Sequence, residues 1–114
     1  NGVVYTGTHD NDTSQGWFNS LSGTQRSRVM DYLGDNSGKC IPALIRSALM
    51  SVANTVVLPF QDLLSLDSRA RMNIPGQAFG NWSWRFTWDM LQHDIAARTG
   101  INVERYGRSN TKVV

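Results

Sequence analysis

The feature that most constrains this chain is an apolar stripe set between two short β-branched runs. Ile41, Leu44, Ile45, Ala48, Leu49 and Val52 recur at i, i+3, i+4, i+7, i+8 and i+11. That spacing predicts one buried face of an α-helix. Pro42 falls in its first turn, where a missing N–H costs little. Upstream, Val3 to Thr6 reads as a short strand. Downstream, Asn54 ends the helix, and Thr55 to Leu58 reads as a buried strand stopped by Pro59. A long helical crossover favours a parallel pair, so the expected class is α/β. One such unit cannot close its own sheet.

The remaining elements are weaker. Thr24 to Leu33 predicts a second helix, with Thr24 as N-cap and Val29, Met30 and Leu33 on one face. Gly34 to Gly38 breaks it. Gly7 to Gly16 reads as loop, and Trp17-Phe18 either starts a helix or packs that loop on a core. A last helix is expected from Thr87 to Arg98, with Trp88, Leu91 and Ile95 inward and Gly100 past its end. Tyr106 to Val114 reads as a frayed tail.

Composition narrows the function classes. The chain has 114 residues, enough for one core. Its hydrophobic fraction of 40% excludes wholesale disorder. A net charge of +2, with no Lys/Arg run, gives no ground for nucleic acid as a partner. No apolar stretch approaches the ~18 residues of a membrane span. The single cysteine, Cys40, excludes an internal disulfide and fits a reducing compartment. The start, Asn1-Gly2-Val3, has neither an initiator Met nor a signal-peptide layout. The chain is therefore expected to be a piece of something longer.

Thr8-His9-Asp10-Asn11-Asp12 follows the first strand. A polar cluster of this kind is either a turn or a site at a strand's C-terminal end. As a calcium loop counted from Asp10 it fails, because positions 6 and 12 hold Gln15 and Leu21 instead of Gly and Glu. His9, Cys40 and His93 lack zinc-ligand spacing, so no metal is expected. Cys40 opens a helix, where a thiolate is stabilised, but it adjoins the apolar stripe and reads as structural. His93, between Gln92 and Asp94, reads as solvated. Trp82, Trp84 and Phe86 alternate as one strand face would. They suit core packing more than a sugar-stacking platform. Met30, Met72 and Met90 read as core filler. Asp10 and Asp62 each follow a strand and could share one mouth, as paired carboxylates do in glycoside chemistry.

Four blocks then occur in order: Val4 to Thr13, Pro59 to Leu64, Ala70 to Gly76, and Gly80 to Arg85. Together they resemble the C-terminal part of the 4-α-glucanotransferases (amylomaltase or disproportionating enzyme, glycoside hydrolase family 77). The resemblance covers nearly the whole chain, with Ser65 and Ser83 as minor departures. It implies a (β/α)8 TIM barrel of the α-amylase clan, of roughly 250 residues before insertions. Residues 1–114 would be the C-terminal segment of that barrel, holding about strands 7 and 8, with no separate second domain.

The resemblance also implies a reaction. A 1,4-α-glucan segment moves to the 4-hydroxyl of another glucan or glucose, with retention through a covalent glycosyl-enzyme. The Asp nucleophile and Glu acid/base would lie on earlier strands, outside these residues. By motif, Asp10 would be the third, transition-state-stabilising acid. His9 would bind the same sugar, and Asn73 would line the glucan cleft. Gln61 and Asp62 would brace the barrel mouth. The implied partners are a maltooligosaccharide substrate and the rest of the barrel, with no cofactor. A cytoplasmic setting is implied, or a plastid in a plant or alga. Two rival readings are an α-glucan hydrolase of the same clan and a non-catalytic glucan-binding relic.

Overall fold

The computed structural model describes residues 2–35, 37–91 and 94–109. In chain order the elements are strand β1 (Val3–Tyr5) and helices α1 (Ser14–Ser20), α2 (Gly23–Leu33) and α3 (Cys40–Met50). Strand β2 (Thr55–Val57), the one-turn helix α4 (Phe60–Leu63), 3₁₀ turns at Ser68–Ala70 and Trp88–Met90, and helix α5 (Ile95–Arg105) follow. β1 and β2 pair in parallel, with Val3 opposite Thr55, Val4 opposite Val56 and Tyr5 opposite Val57. The α/β reading and the parallel pair therefore hold among the described residues.

The core forms around α3. Cys40, Ile41, Ala43, Ile45, Ala48 and Leu49 are all buried, Ile41 completely. Burying a side chain such as Ile41 or Leu49 contributes on the order of 1.5–3 kcal/mol, which makes this helix the organising element. Phe18 of α1 belongs to the same cluster, and Val29, Met30 and Leu33 of α2 pack against it. From the sheet, Val56 reaches this core. Its neighbours alternate to the other face, as strand geometry requires.

Several expected boundaries move. The α3 helix stops at Met50, and Val52 lies beyond it, fully exposed. Thr13 caps α1 by accepting from Gly16 N at 3.1 Å, so the helix begins inside the expected loop. The cap of α2 is Ser22 rather than Thr24. Ser22 Oγ accepts from Gln25 N (3.2 Å), and Gln25 Oε1 accepts from Ser22 N (2.9 Å). This reciprocal box satisfies two orphan donors, which Thr24 alone could not.

The second strand is not buried as expected. Val56 is half-covered, but Thr55 and Val57 are exposed. Val3, Tyr5 and Val57 are each at least half exposed, because among the described residues only one face of the sheet carries helices.

The C-terminal third differs most from expectation. The last helix runs from Ile95 through Gly100 to Arg105. Residues 92 and 93, and with them the reading of His93, lie outside the described residues. Glycine's helix penalty is only ~1 kcal/mol, and the packing of Ile95, Val103 and Tyr106 outweighs it. Trp88 sits in a separate 3₁₀ turn and is exposed, not inward.

Residues 82–86 form no strand, and Trp82 has a left-handed φ of 60°. None of the tryptophans enters the buried core. Phe60, Phe86 and Trp88 instead stack edge-to-face in a chain, with centroids 5.0 and 5.4 Å apart.

The expected frayed tail is anchored where it is described. Arg108 donates to the carbonyls of Leu49 (2.8 Å), Ser51 (3.0 Å), Ala53 (2.9 Å) and Asn54 (3.4 Å). Leu49 O is one of the carbonyls that the end of α3 leaves without a helical partner, and the other three follow in the turn between α3 and β2. Residues 110–114 lie outside the described residues.

Candidate functional site

The exposed sheet face and the loops after both strands enclose a cleft of about 480 Å³. Val3, Tyr5 and Val57 form its apolar floor, and His9, Arg71 and Met72 contribute to its walls. In open α/β folds, functional groups collect at the carboxyl ends of parallel strands. The cleft lies at that end.

The polar segment after β1 divides into two jobs. Thr8 and Asn11 close a turn. The amide and hydroxyl of Thr8 both donate to Asn11 Oδ1 at 2.9 Å, and Asn11 N returns to Thr8 O at 3.1 Å. Asp12 accepts from Thr13 N (2.8 Å) and from Ser68 Oγ (2.8 Å), which ties the loop to the first 3₁₀ turn. His9 and Asp10 take no part in this internal bonding. Their side chains remain about half exposed, with His9 Nε2 3.4 Å from Asp10 Oδ2.

The third expected residue joins them. Asn73 donates from Nδ2 to Asp10 Oδ1 at 2.6 Å. His9, Asp10 and Asn73 therefore form one cluster, although the chain separates them widely. His9 lines the cleft; Asp10 and Asn73 stand beside it, open to solvent. Such a group offers a carboxylate acceptor, an imidazole and an amide on one surface. That set suits hydroxyl-rich ligands, since each ring hydroxyl is both donor and acceptor.

Asp62 does not join this cluster. It is 2% exposed and accepts from Thr6 Oγ1, Ser14 N (3.0 Å) and Ser14 Oγ (2.7 Å). It braces β1 and the start of α1, and its oxygens are already engaged. Gln61 likewise donates to Ala70 O at 3.2 Å. Cys40 is 2% exposed, and burial pushes its thiol pKa up, which outweighs any help from the helix start. Among the described residues, no group of three His, Cys, Asp or Glu side chains is placed to hold a metal ion.

Two further neighbours stand at the cluster: Arg71, to which the sequence assigned no role, and Trp82, which was expected to pack in the core. Arg71 donates from Nη2 to Asp10 O (2.8 Å) and from Nε to Asn73 O (2.9 Å). The Trp82 ring lies 5.0 Å from that of His9, tilted by 37°. Arg71 stands in the same short block as Asn73, but its bonds to backbone carbonyls leave no mark in the sequence. The left-handed backbone that turns Trp82 toward His9 leaves none either.

The α/β chain thus gathers a carboxylate, an imidazole and an amide beside a cleft at the strand ends. The glycoside hydrolase family 77 model, described as 4-alpha-glucanotransferase, matches residues 1–92. The chain belongs to this 4-alpha-glucanotransferase family.

The 4-alpha-glucanotransferase of Synechocystis sp. is 47% identical over 109 residues, covering 95% of this chain and 22% of that protein. The chloroplastic/amyloplastic 4-alpha-glucanotransferase of Solanum tuberosum is 51% identical over 86 residues, covering 75% of this chain and 15% of that protein. The structure of amylomaltase from Streptococcus agalactiae in complex with acarbose superposes with a TM-score of 0.88 at 30% identity. It covers 95% of this chain and 22% of that one. The chain thus spans about a fifth of the length of the Synechocystis relative. Among the described residues, no helix is long and apolar enough to cross a membrane.

Proposed function

We propose that this chain forms one wall of the glucan cleft of a 4-α-glucanotransferase. The observation that carries the reading is the Asp10 carboxylate, held by Asn73 Nδ2 at 2.6 Å with the His9 imidazole 3.4 Å away. In this reading β1 and β2 serve as strands 7 and 8 of a (β/α)8 barrel, and residues 1–114 are its C-terminal segment without a second domain. The remaining strands, with the Asp nucleophile and Glu acid/base, come from sequence outside these residues.

The reaction moves a 1,4-α-glucan segment to the 4-hydroxyl of an acceptor glucan or glucose. The nucleophile bonds to the anomeric carbon as the glycosidic bond breaks, and the acid hands its proton to the leaving 4-oxygen. The acceptor hydroxyl then displaces the nucleophile, giving up its proton to the same residue acting as base. Positive charge grows at the anomeric carbon in both steps. Asp10 binds hydroxyls of that sugar ring, and its negative charge gains most where the ring charge is greatest, in the transition state. His9 and Asn73 hold neighbouring hydroxyls. No cofactor takes part. The setting is the cytoplasm, or a plastid in a plant or alga, as the name of the potato relative suggests by kinship.

The test replaces the matching segment of the Synechocystis relative with these 114 residues and incubates the chimera with maltotriose. Longer and shorter glucans formed together support transfer. Shortened products alone favour the hydrolase, and binding without turnover favours a glucan-binding relic. The 114-residue chain by itself is expected to turn over no glucan.

A further inference from the structure

Arg71, Met72 and Asn73 are consecutive; Arg71 and Asn73 each hold a different part of Asp10, and Met72 holds Trp82, whose ring meets His9. Arg71 binds the Asp10 main chain, through Nη2 to the carbonyl oxygen at 2.8 Å. Asn73 binds its side chain, through Nδ2 to Oδ1 at 2.6 Å. Met72 O accepts from Trp82 N at 2.6 Å, and the Trp82 ring packs on His9. The same Arg71 guanidinium also donates from Nε to Asn73 O at 2.9 Å. One planar group thus grips the backbone of both loops, fixing where the Asn73 amide meets the Asp10 carboxylate.

We propose that Arg71 is a positioning residue that locks the Asp10 loop to the Asn73 loop and so sets the direction of the Asp10 carboxylate. The proposal rests on the functional reading above for its kinetic consequence. A guanidinium suits the task because its donors are held in a rigid planar fork. A lysine ammonium is a single point on a flexible stem and cannot hold both carbonyls in the same fixed relation. Both neutral carbonyls are acceptors, so the contact orients the loops without neutralising Asp10.

The test compares Arg71→Met, Arg71→Lys and Arg108→Met in the chimera. Arg108 also grips backbone carbonyls, but at the far end of α3, away from the cleft. Arg71→Met is expected to lower kcat on the order of 10²-fold, the effect of a small misplacement of a reacting group. KM is expected to stay within about threefold, since the loss falls on the transition state. Arg71→Lys should recover only part of kcat. Arg108→Met should lower the unfolding temperature and leave kcat unchanged.

An Arg71→Met enzyme with kcat within about twofold of its parent overturns the proposal. So does a kcat loss matched by Arg108→Met at equal loss of Tm. If the unsubstituted chimera transfers no glucan, the functional reading fails separately, and hydrogen exchange still reads the clamp. Faster exchange in Arg71→Met, confined to peptides spanning residues 7–13 and 71–77, supports it; unchanged exchange there overturns it.

Discussion

Asn73 donates to the Asp10 carboxylate at 2.6 Å across 63 residues of chain. The parallel pairing of β1 and β2 brings them together. Each strand ends at the same edge of the sheet, so the segments that follow the two strands share one mouth. Asp10 follows β1 directly. Asn73 arrives after β2, by way of α4 and the first 3₁₀ turn.

That contact predicts a graded response. Removing the amide with Asn73→Ala deletes a hydrogen bond to a charged group, a contribution of about 1.5–3 kcal/mol. Transfer by the chimera should fall roughly 10- to 100-fold in kcat/KM, by the usual conversion of energy to rate. Asn73→Asp should be worse than Asn73→Ala, because it sets a second carboxylate against Asp10. Maltotriose disproportionation rates rank the two variants. An Asn73→Asp enzyme as active as Asn73→Ala would show that the contact matters little.

Asp62 predicts a stability effect without a direct chemical role. Asp62→Ala leaves the Thr6 hydroxyl and the Ser14 amide without their buried acceptor, while the Ser14 hydroxyl keeps Thr6 O at 3.3 Å. Stranding buried donors costs about 1–3 kcal/mol for each group, so a loss of at least ~2 kcal/mol is expected. Urea unfolding should move to a lower midpoint. An unchanged midpoint would mean that water or a rearranged loop satisfies these donors.

Gly16 predicts a steric coupling. A Cβ at this position would lie 2.6 and 2.7 Å from the Asp12 carboxylate oxygens, and closer still to Ser68 Oγ. Those atoms end movable side chains, so Gly16→Ala should break the Asp12–Ser68 hydrogen bond rather than unfold α1. The expected loss is about 1 kcal/mol, the net worth of such a bond. It should largely vanish in an Asp12→Ala background, where the carboxylate clash and the bond are both gone and the Ser68 hydroxyl, no longer held by Asp12, can rotate away from the new Cβ. Equal losses in the two backgrounds, read from a double-mutant cycle, would refute the coupling.

The legible parts of the fold were those governed by one strong period or one long crossover. The α3 stripe and the parallel strands followed from apolar spacing, because burial of that face dominates the energetics. His9, Asp10 and Asn73 stood out through their sequence blocks, and the fold brings them together. Other features depend on context. Thr13 caps α1 within a polar run that looks like loop. In the same run, Thr8, Asn11 and Asp12 serve local structure while His9 and Asp10 stay free of it, a division that composition cannot express. The α5 helix begins later than expected and runs through Gly100, because tertiary packing overrides propensity there. The tryptophans look like core by type, yet lie half-buried or exposed, and Trp82 meets His9 through a left-handed backbone.

Cys40 gives the last prediction, on pH. Its thiol is 2% exposed, and desolvation raises its pKa in the folded chain. The native thiol should therefore resist iodoacetamide at neutral pH and react only on unfolding. A raised folded pKa means that the unfolded chain gives up its proton first. The unfolded state then binds fewer protons, and stability falls as pH rises. The stabilising contribution is complete below the ordinary thiol pKa of about 8.5 and declines above it, until the folded thiol also ionises. Urea midpoints measured between pH 7 and roughly 10 should fall more steeply for the native sequence than for Cys40→Ala. Parallel slopes, or rapid alkylation of the folded chain, would mean that the α3 start opens to solvent and that burial does not control this thiol.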